Sequence, residues 1–348
     1  MFFKKTMKED NKTVSKIEND EKINTTKKQI LDRLSKASDI TITGHRNPDC
    51  DCVCSGLGLS LLIKNVFNKN AVVVNTDKMQ RDLQNVLLID NVIFEVTPET
   101  LPKKDVLVVL DSGDIDRIGW IADITNEYNE VIFIDHHKVR NLKGVTMFYD
   151  DTTAGATCEI IFDIFQDYTE KMDSTIATLL YSGICTDTGS FIFSNTTERT
   201  LLFGSKLMKI GVMQENIGNV VRKRYTRNDV SALMEIYRRM IIDYDKKIGY
   251  ICLGDTICGI NTKELGVSAS DTLIQMDDVL IGFIVHENED CFRVSMRSRS
   301  VKDIREIAES FGGGGHPKAS GFTVSKKDYT KEKLIQELKD KLINLLDS

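Results

Sequence analysis

Three short aliphatic runs constrain this chain more than any other feature: "ITITGH" (40–45), "VLVVLD" (106–111) and "VIFIDHH" (131–137). Each is apolar almost without interruption, which is how strands buried on both faces read, and segments of helical length separate them. With "NAVVVNTD" (70–77) and a helix from about Cys52 to Phe67, the pattern predicts an α/β domain on a parallel sheet. Open parallel sheets bind ligands beyond the carboxyl ends of their strands. The polar residues that close these runs should therefore meet in one crevice.

A length of 348 residues is more than the roughly 100–200 of one domain, so at least two units are expected. Residues 1–27 read as a charged N-terminal extension, 28–195 as the α/β domain and 196–244 as a helical connector. Within the connector, "TERTLLFGSKLMKIGV" and "NDVSALMEIYRRMIIDY" carry apolar residues three and four apart. Residues 245–348 read as a smaller α+β domain. It has a hairpin at Glu287 to Asp290, a helix "KDIREIAESF", a Gly-rich loop and a final strand "SGFTVS". The active cleft is expected between the two domains.

Bulk properties exclude several classes. Charged residues make up 28% and apolar ones 41%, and no apolar run approaches the roughly 20 residues of a membrane helix. Only Met1, Phe2 and Phe3 precede the first charges, too few for the apolar stretch of an export signal. Eight cysteines without a Cys-x-x-Cys pair then imply free thiols in a reducing, cytoplasmic setting. A net charge of −6 argues against a surface built for long nucleic acid, while leaving room for a local cationic pocket.

Four of the five histidines fall in conspicuous places, and the fifth, His286, is expected as an exposed hairpin-turn residue. The first run delivers His45, Asp49 and Asp51, the second Asp111, and the third Asp135, His136 and His137. Asp187 in "GICTDTGSF" follows an apolar helical stretch and would close the ring. Carboxylates with a few imidazoles suit Mn²⁺ or Mg²⁺ better than a structural zinc. Two such ions about 3.5–4 Å apart can share a carboxylate and promote in-line attack on phosphorus. Asp111, arriving from a central strand, is the candidate bridge.

Cys50, Cys52 and Cys54 interleave with these acids. They admit a zinc site, a redox-sensing thiol at a helix N-terminus, or plain packing of small side chains. Zinc lacks a second cysteine pair elsewhere. Because the carboxylate set is complete without sulfur, the cysteines are not expected to hold the ions.

Farther on, "RVSMRSRS" places Arg293, Ser295, Arg297 and Arg299 on one strand face, ahead of four glycines. Amides of a Gly-rich loop form an anion-binding concavity and arginines add bidentate phosphate contacts. Arg297, Gly312, Gly313, Gly314, Gly315 and His316 are therefore candidates for gripping a phosphate, with a solvated arginine face as the structural alternative. Arg117 in "DIDRIG" is a further candidate near a nucleotide, or a surface ion pair. "TAGATCEI" (153–160) reads as a helix start whose small residues pack close to the site.

Taken together, "HRNPDCD" (45–51), "VVLD" (108–111), "DHH" (135–137), "TDTGSF" (186–191) and "GGGGHPKASG" (312–321) resemble the DHH phosphoesterase family with its DHH-associated C-terminal domain. The bacterial nanoRNase and phosphoadenosine phosphatase group is the most similar within it. The resemblance implies that His45, Asp49 and Asp111 bind one Mn²⁺, and that Asp51, Asp111, His136 and Asp187 bind the other, with Mg²⁺ or Co²⁺ able to substitute. Asp135 would orient His136, and His137 would face the scissile phosphate. It further implies 3′-to-5′ removal of nucleotides from very short RNA and dephosphorylation of 3′-phosphoadenosine 5′-phosphate. Cyclic dinucleotides or their linear products are the nearest alternative substrates, and a nucleotide-binding sensor is the non-enzyme alternative. The partners are then short RNA or small phosphorylated nucleotides, with no long nucleic acid or membrane, and a homodimer is an open arrangement. This chain departs from the family at Cys50, Cys52 and Cys54, where small residues are usual, often Gly at the first and last. A left-handed backbone at position 50 would disfavour its cysteine.

Overall fold

The structure, a computed structural model, describes residues 25–78, 83, 92–101, 105–139, 141–221 and 225–348. The charged extension assigned to 1–27 lies outside the described residues up to residue 24. The chain divides into two compact units, Met1–Arg224 and Tyr225–Ser348.

In the first unit, Thr26 and Gln29 cap each other's backbone at the start of α1 (Lys27–Lys36), which buries Ile30 and Leu34. Then come β1 (Ile40–Gly44), α2 (Cys50–Phe67), β2 (Ala71–Val74), β3 (Val92–Ile93), β4 (Val106–Leu110), β5 (Glu130–Asp135) and β6 (Met147–Asp150). All six strands are parallel, in the order β3-β2-β1-β4-β5-β6. The chain builds outward from β1 to one edge and then returns to extend the other, so the topology reverses between β1 and β4. Diverging loops leave a crevice at that point.

Both faces of the sheet are covered, as the unbroken apolar runs require. Ile42, Val108, Ile132 and Ile134 pack on α2, α3 (Thr157–Ile164) and α4 (Ser174–Asp187). Leu107, Val109, Val131 and Phe133 face the other way, onto a 3₁₀ segment at Ile115–Glu127. Contrary to expectation, α2 is by length and composition apolar enough to cross a membrane, yet most of it is buried inside this unit. Its glycines explain the tight fit: a Cβ on Gly58 would lie 2.8 Å from Leu180 on α4. The helical stretch from 196 onward is shared, with α5 (Glu198–Ile210) and α6 (Gln214–Val221) in the first unit and α7 (Arg227–Arg238) in the second.

The second unit continues with β7 (Ile241–Asp243), β8 (Ile248–Gly254), a small hairpin of β9 (Thr256–Ile257) and β10 (Ile260–Asn261), and α8 (Thr262–Gln275). It ends with β11 (Ile281–Glu287), β12 (Cys291–Ser298), α9 (Arg305–Ser310), β13 (Gly314–His316), β14 (Ala319–Ser325) and α10 (Lys331–Asp347). The sheet order is β13-β14-β12-β11-β8-β7, parallel only between β8 and β11. Leu334, Leu338 and Leu342, one turn apart on α10, close one face of it. The β11–β12 hairpin occurs as expected, but His286 is not in its turn. It is a buried β11 residue opposite Arg293, because the strand runs one residue farther than its polar end suggested.

Candidate active site

At the switch point, β1 hands the chain to His45 and β4 hands it to Asp111, two residues far apart in sequence on neighbouring strands. His45 is buried, and its Nδ1 contacts the Arg46 carbonyl at 2.8 Å. A donor hydrogen there leaves Nε2 as the free acceptor, which faces Asp49 Oδ2 at 3.6 Å and Asp111 Oδ2 at 3.8 Å. The loop from His45 to Asp49 is tied down by residues just past β2: Asn75 donates to the His45 carbonyl and Asp77 accepts from the Asn47 amide. Asp49 then caps α2 by accepting from the Cys52 amide at 3.1 Å.

Asp111 is 2% exposed and adopts φ 51°, a left-handed conformation that an aspartate tolerates only under constraint. Its other oxygen, Oδ1, accepts from Thr157 Oγ1 at 3.1 Å and lies 3.4 Å from His136 Nε2. His136 Nε2 also stands 3.2 Å from Asp187 Oδ2, at the last residue of α4. Asp51 comes from the first turn of α2 and is fully buried, its two oxygens accepting the Thr157 and Cys158 amides at 2.6 and 2.9 Å. The start of α3 thus serves as a positive helix end for a buried carboxylate. Thr157 was missed by sequence reasoning; the small-residue run before α3 signalled only that this helix packs closely.

His137 departs from the expected wiring. Asp135 Oδ1 holds Nδ1 and the amide of His137, both at 2.8 Å, while Oδ2 accepts the Ser112 and Gly113 amides. Asp135 therefore orients His137, not His136. β5 ends at Asp135, and the two histidine rings that follow lie 4.1 Å apart with both near Asp111 Oδ1; Asp187 is the further partner of His136 and Asp135 that of His137. Gly113, at φ +66°, makes room between the two flanking groups: a Cβ there would lie 3.2 Å from Arg117 Nη1 and 3.7 Å from His137 Cβ. Cys50 is the first residue of α2 and has no left-handed backbone, so the expected penalty at that position does not arise.

The electrostatics are those of an anion-rich pocket. Burial, then the charges of Asp111 and Asp187, push Asp51 well above the usual carboxylate range. Burial and Asp111 raise Asp187 to about 7, against the pull of His136. Burial alone would lower His136, but contact with Asp111 and the charges of Asp51, Asp111 and Asp187 push it up to about 10. Asp135 is held below the usual range despite its burial, chiefly by His137.

Among the described residues, three sets of donor atoms each fall within 4.8 Å of one another: His45 with Cys52 and Asp111; Asp51 with His136 and Asp187; and Asp111 with Asp135, His136 and His137. His136 Nε2 is buried without a hydrogen-bond partner in the midst of these acids. A divalent cation fits this arrangement, because it would satisfy that nitrogen and neutralise carboxylates that otherwise repel one another.

In the second unit, a cavity of about 650 Å³ is lined by Arg293, Ser295, Arg297, Gly312, Gly313, Gly314 and Ser320 among others. Arg297 Nε lies 3.2 Å from Asp271 on α8. Arg299 falls past the end of β12 and binds the Asp277 carbonyl, so it leaves the face shared by Arg293, Ser295 and Arg297. His316 is exposed on β13, and neither it nor Gly315 lines the cavity. Two of the glycines have a steric reason: a Cβ would lie 2.2 Å from the Gly321 carbonyl at Gly313 and 2.6 Å from the Ala319 carbonyl at Gly315.

Residues 39–184 match the DHH family, N-terminal domain, and residues 252–347 match the DHHA1 domain. Over 293 residues the chain is 27% identical to the bifunctional oligoribonuclease and PAP phosphatase NrnA of Mycoplasma pneumoniae, covering 83% of this chain and 88% of that one. It is also 27% identical over 344 residues to the cyclic-di-AMP phosphodiesterase PdeA of Listeria monocytogenes, covering 92% of this chain but 49% of that protein. The crystal structure of an exopolyphosphatase-related protein from Bacteroides fragilis shares the fold, with a TM-score of 0.80 at 21% identity over 92% of this chain and 97% of that one.

Proposed function

The chain belongs to the DHH family, and from that premise we propose that it is a metal-dependent phosphohydrolase acting on very short RNA and on 3′-phosphoadenosine 5′-phosphate. The observation that carries the reading is the meeting of His45, Asp111 and His136 at the carboxyl ends of three adjacent parallel strands, with Asp51 and Asp187 brought in by helices. His45, Asp49 and Asp111 would hold one divalent cation, and Asp51, Asp111, His136 and Asp187 a second. Such ions, with Mn²⁺ proposed foremost, would supply Lewis acidity toward the phosphate and a nucleophile from water at neutral pH.

The remaining steps belong to side chains. Asp135 fixes the tautomer of His137 by accepting from Nδ1, so the opposite ring nitrogen faces the substrate side and handles the proton of the leaving oxygen. In the hydrolysis, a water oxygen gives up one proton and bonds to phosphorus as the phosphorus–oxygen bond to the leaving group breaks, and the leaving oxygen takes up a proton. Arg117, which flanks Gly113 together with His137, would meet a nucleotide phosphate. Arg297 and Gly312 to Gly314, which line the cavity, would bind a terminal phosphate, with Gly315 and His316 beside them on β13 and the arginine exchanging its contact with Asp271 for the ligand. A homodimer and a cytoplasmic location belong to the same reading, the former checked by light scattering.

A panel of RNA dinucleotide, 3′-phosphoadenosine 5′-phosphate, cyclic di-AMP and its linear product, each with Mn²⁺ or with chelator, tests the proposal. Mn²⁺-dependent release of mononucleotide and inorganic phosphate supports it. Similarity to the Listeria phosphodiesterase over nearly the whole chain favours a second reading, which preference for cyclic di-AMP would establish. Tight nucleotide binding without turnover of any substrate would leave the sensor reading instead.

A further inference from the structure

We propose that Cys52 is a fourth donor to the cation that His45, Asp49 and Asp111 would hold, and that its sulfur biases this position toward softer ions such as Co²⁺, Zn²⁺ or Fe²⁺ over Mg²⁺ and Mn²⁺. The inference rests on the metal-site reading above and adds to it a ligand that the carboxylate set had made unnecessary.

The three cysteines of α2 are not equivalent. Cys50 and Cys54, one turn apart, bring their sulfurs to 3.7 Å of each other. Cys52 lies about 200° around the helix from both, so its thiol faces away from that pair. Its Sγ falls within 4.8 Å of the ligand atoms of His45 and Asp111, and all three residues are buried. The backbone holds it there: a Cβ on Gly44 would come within 2.3 Å of the Cys52 sulfur and 2.9 Å of the Leu110 carbonyl. Only glycine at the end of β1 lets a thiol occupy the gap between the carboxyl ends of β1 and β4.

A second, independent observation points to a ligand in the adjoining cluster that shares Asp111. His136 is nine-tenths buried, and its Nε2 has no hydrogen-bond partner while facing the opposite oxygen of Asp111. Sulfur in a donor set selects against hard, oxygen-seeking cations, since a polarisable thiolate binds Co²⁺, Zn²⁺ and Fe²⁺ far better than Mg²⁺. On binding, the metal–sulfur bond replaces the S–H bond and the thiol proton passes to solvent.

Titration of the metal-stripped full chain with Co²⁺ tests the proposal. Visible d–d bands report uptake, and a near-ultraviolet sulfur-to-cobalt charge-transfer band reports thiolate ligation. The wild type and the Cys50→Ala/Cys54→Ala variant should show both. Cys52→Ser and Cys52→Ala should keep the visible bands, lose the charge-transfer band, and lose at least tenfold in preference for Co²⁺ over Mn²⁺. Visible bands without charge transfer in the wild type, or a charge-transfer band that survives in Cys52→Ala, would overturn the role of Cys52 alone. No Co²⁺ uptake by the wild type would overturn the metal-site reading along with it. If the Cys52 variants do not fold, a variant with Cys50, Cys54, Cys158 and Cys185 all replaced by Ala decides. A retained band leaves Cys52 as the thiol beside the cluster, and a lost band excludes it.

Discussion

At the residue scale, Asp111 has the most connections in the site. It faces His45 through one oxygen and His136 and Thr157 through the other, in a backbone conformation that costs about 1–3 kcal/mol. Asp111→Ala should abolish bound metal and reduce turnover about a thousandfold or more, because several kcal/mol of charge stabilisation goes with the ions. Near-normal activity and metal content in this variant would refute the two-cation assignment. Asp135→Asn should act differently: it leaves metal content largely intact while His137 loses its anionic partner, with a fall of about 10–100-fold in kcat. Metal analysis beside steady-state kinetics separates the two variants.

At the scale of elements, two contacts are decisive. α4 crosses α2 and α3 at Gly183, where a Cβ would lie 2.3 Å from Cys158 Sγ and 2.6 Å from Asp51 Oδ1. Gly183→Ala should therefore destabilise the fold by roughly 1–3 kcal/mol and also weaken metal binding, because the clash falls on a carboxylate of the site. Denaturant unfolding and metal titration of the same sample check both. The second contact docks α1 onto the sheet. Asp105, just before β4, accepts from the Ser38 amide, Arg33 and Asn129, and Arg33 also pairs with Glu130 at the start of β5. Partial burial opposes ionisation of Asp105, but the Ser38 amide and Arg33 hold it below the usual carboxylate range. A depressed folded pKa contributes stability that is complete above the unfolded value of about 3.9 and is lost as pH falls below it. Asp105→Asn should thus destabilise the chain at neutral pH, with the difference from wild type shrinking in acid. A difference independent of pH would show that the group contributes through shape alone.

For the whole molecule, a net charge of −6 bears on the length of substrate expected under the proposed function. At that charge the protein offers little to neutralise the phosphates of a long strand, while Arg293 and Arg297 concentrate positive charge at one cavity. RNAs of about two to five nucleotides should be cut faster than strands of about 20 at equal concentration with Mn²⁺ present. Rapid, processive loss of the long strand on a denaturing gel would contradict this. Arg297→Ala and His316→Ala should raise KM for nucleotide substrates and leave metal content unchanged, since both lie in the second unit and the candidate cation-binding residues lie in the first. Unaltered kinetics in both would assign the Gly-rich segment to the close packing of β13 on β14 that Gly313 and Gly315 permit.

The parallel sheet, and the end of it at which His45, Asp111 and Asp135 gather, were legible in the chain itself. Aliphatic runs that end in His45, Asp111 and Asp135 can be buried on both faces only within such a sheet, and the strand period then puts their last polar residues at one edge. Local sequence likewise placed the start of α2 to within two residues and put Arg293, Ser295 and Arg297 on one face of β12, though not Arg299, which lies past the strand end. Pairings across the fold could not be read this way. That Asp135 serves His137, that Thr157 braces Asp111, that the α3 amides hold Asp51, and that Cys52 parts from its neighbours to lie against Gly44 all depend on how α2, α3 and α4 pack on the sheet. Those distances arise between segments far apart in the chain. Periodicity fixes which face a residue occupies, and packing alone fixes which atom it meets there.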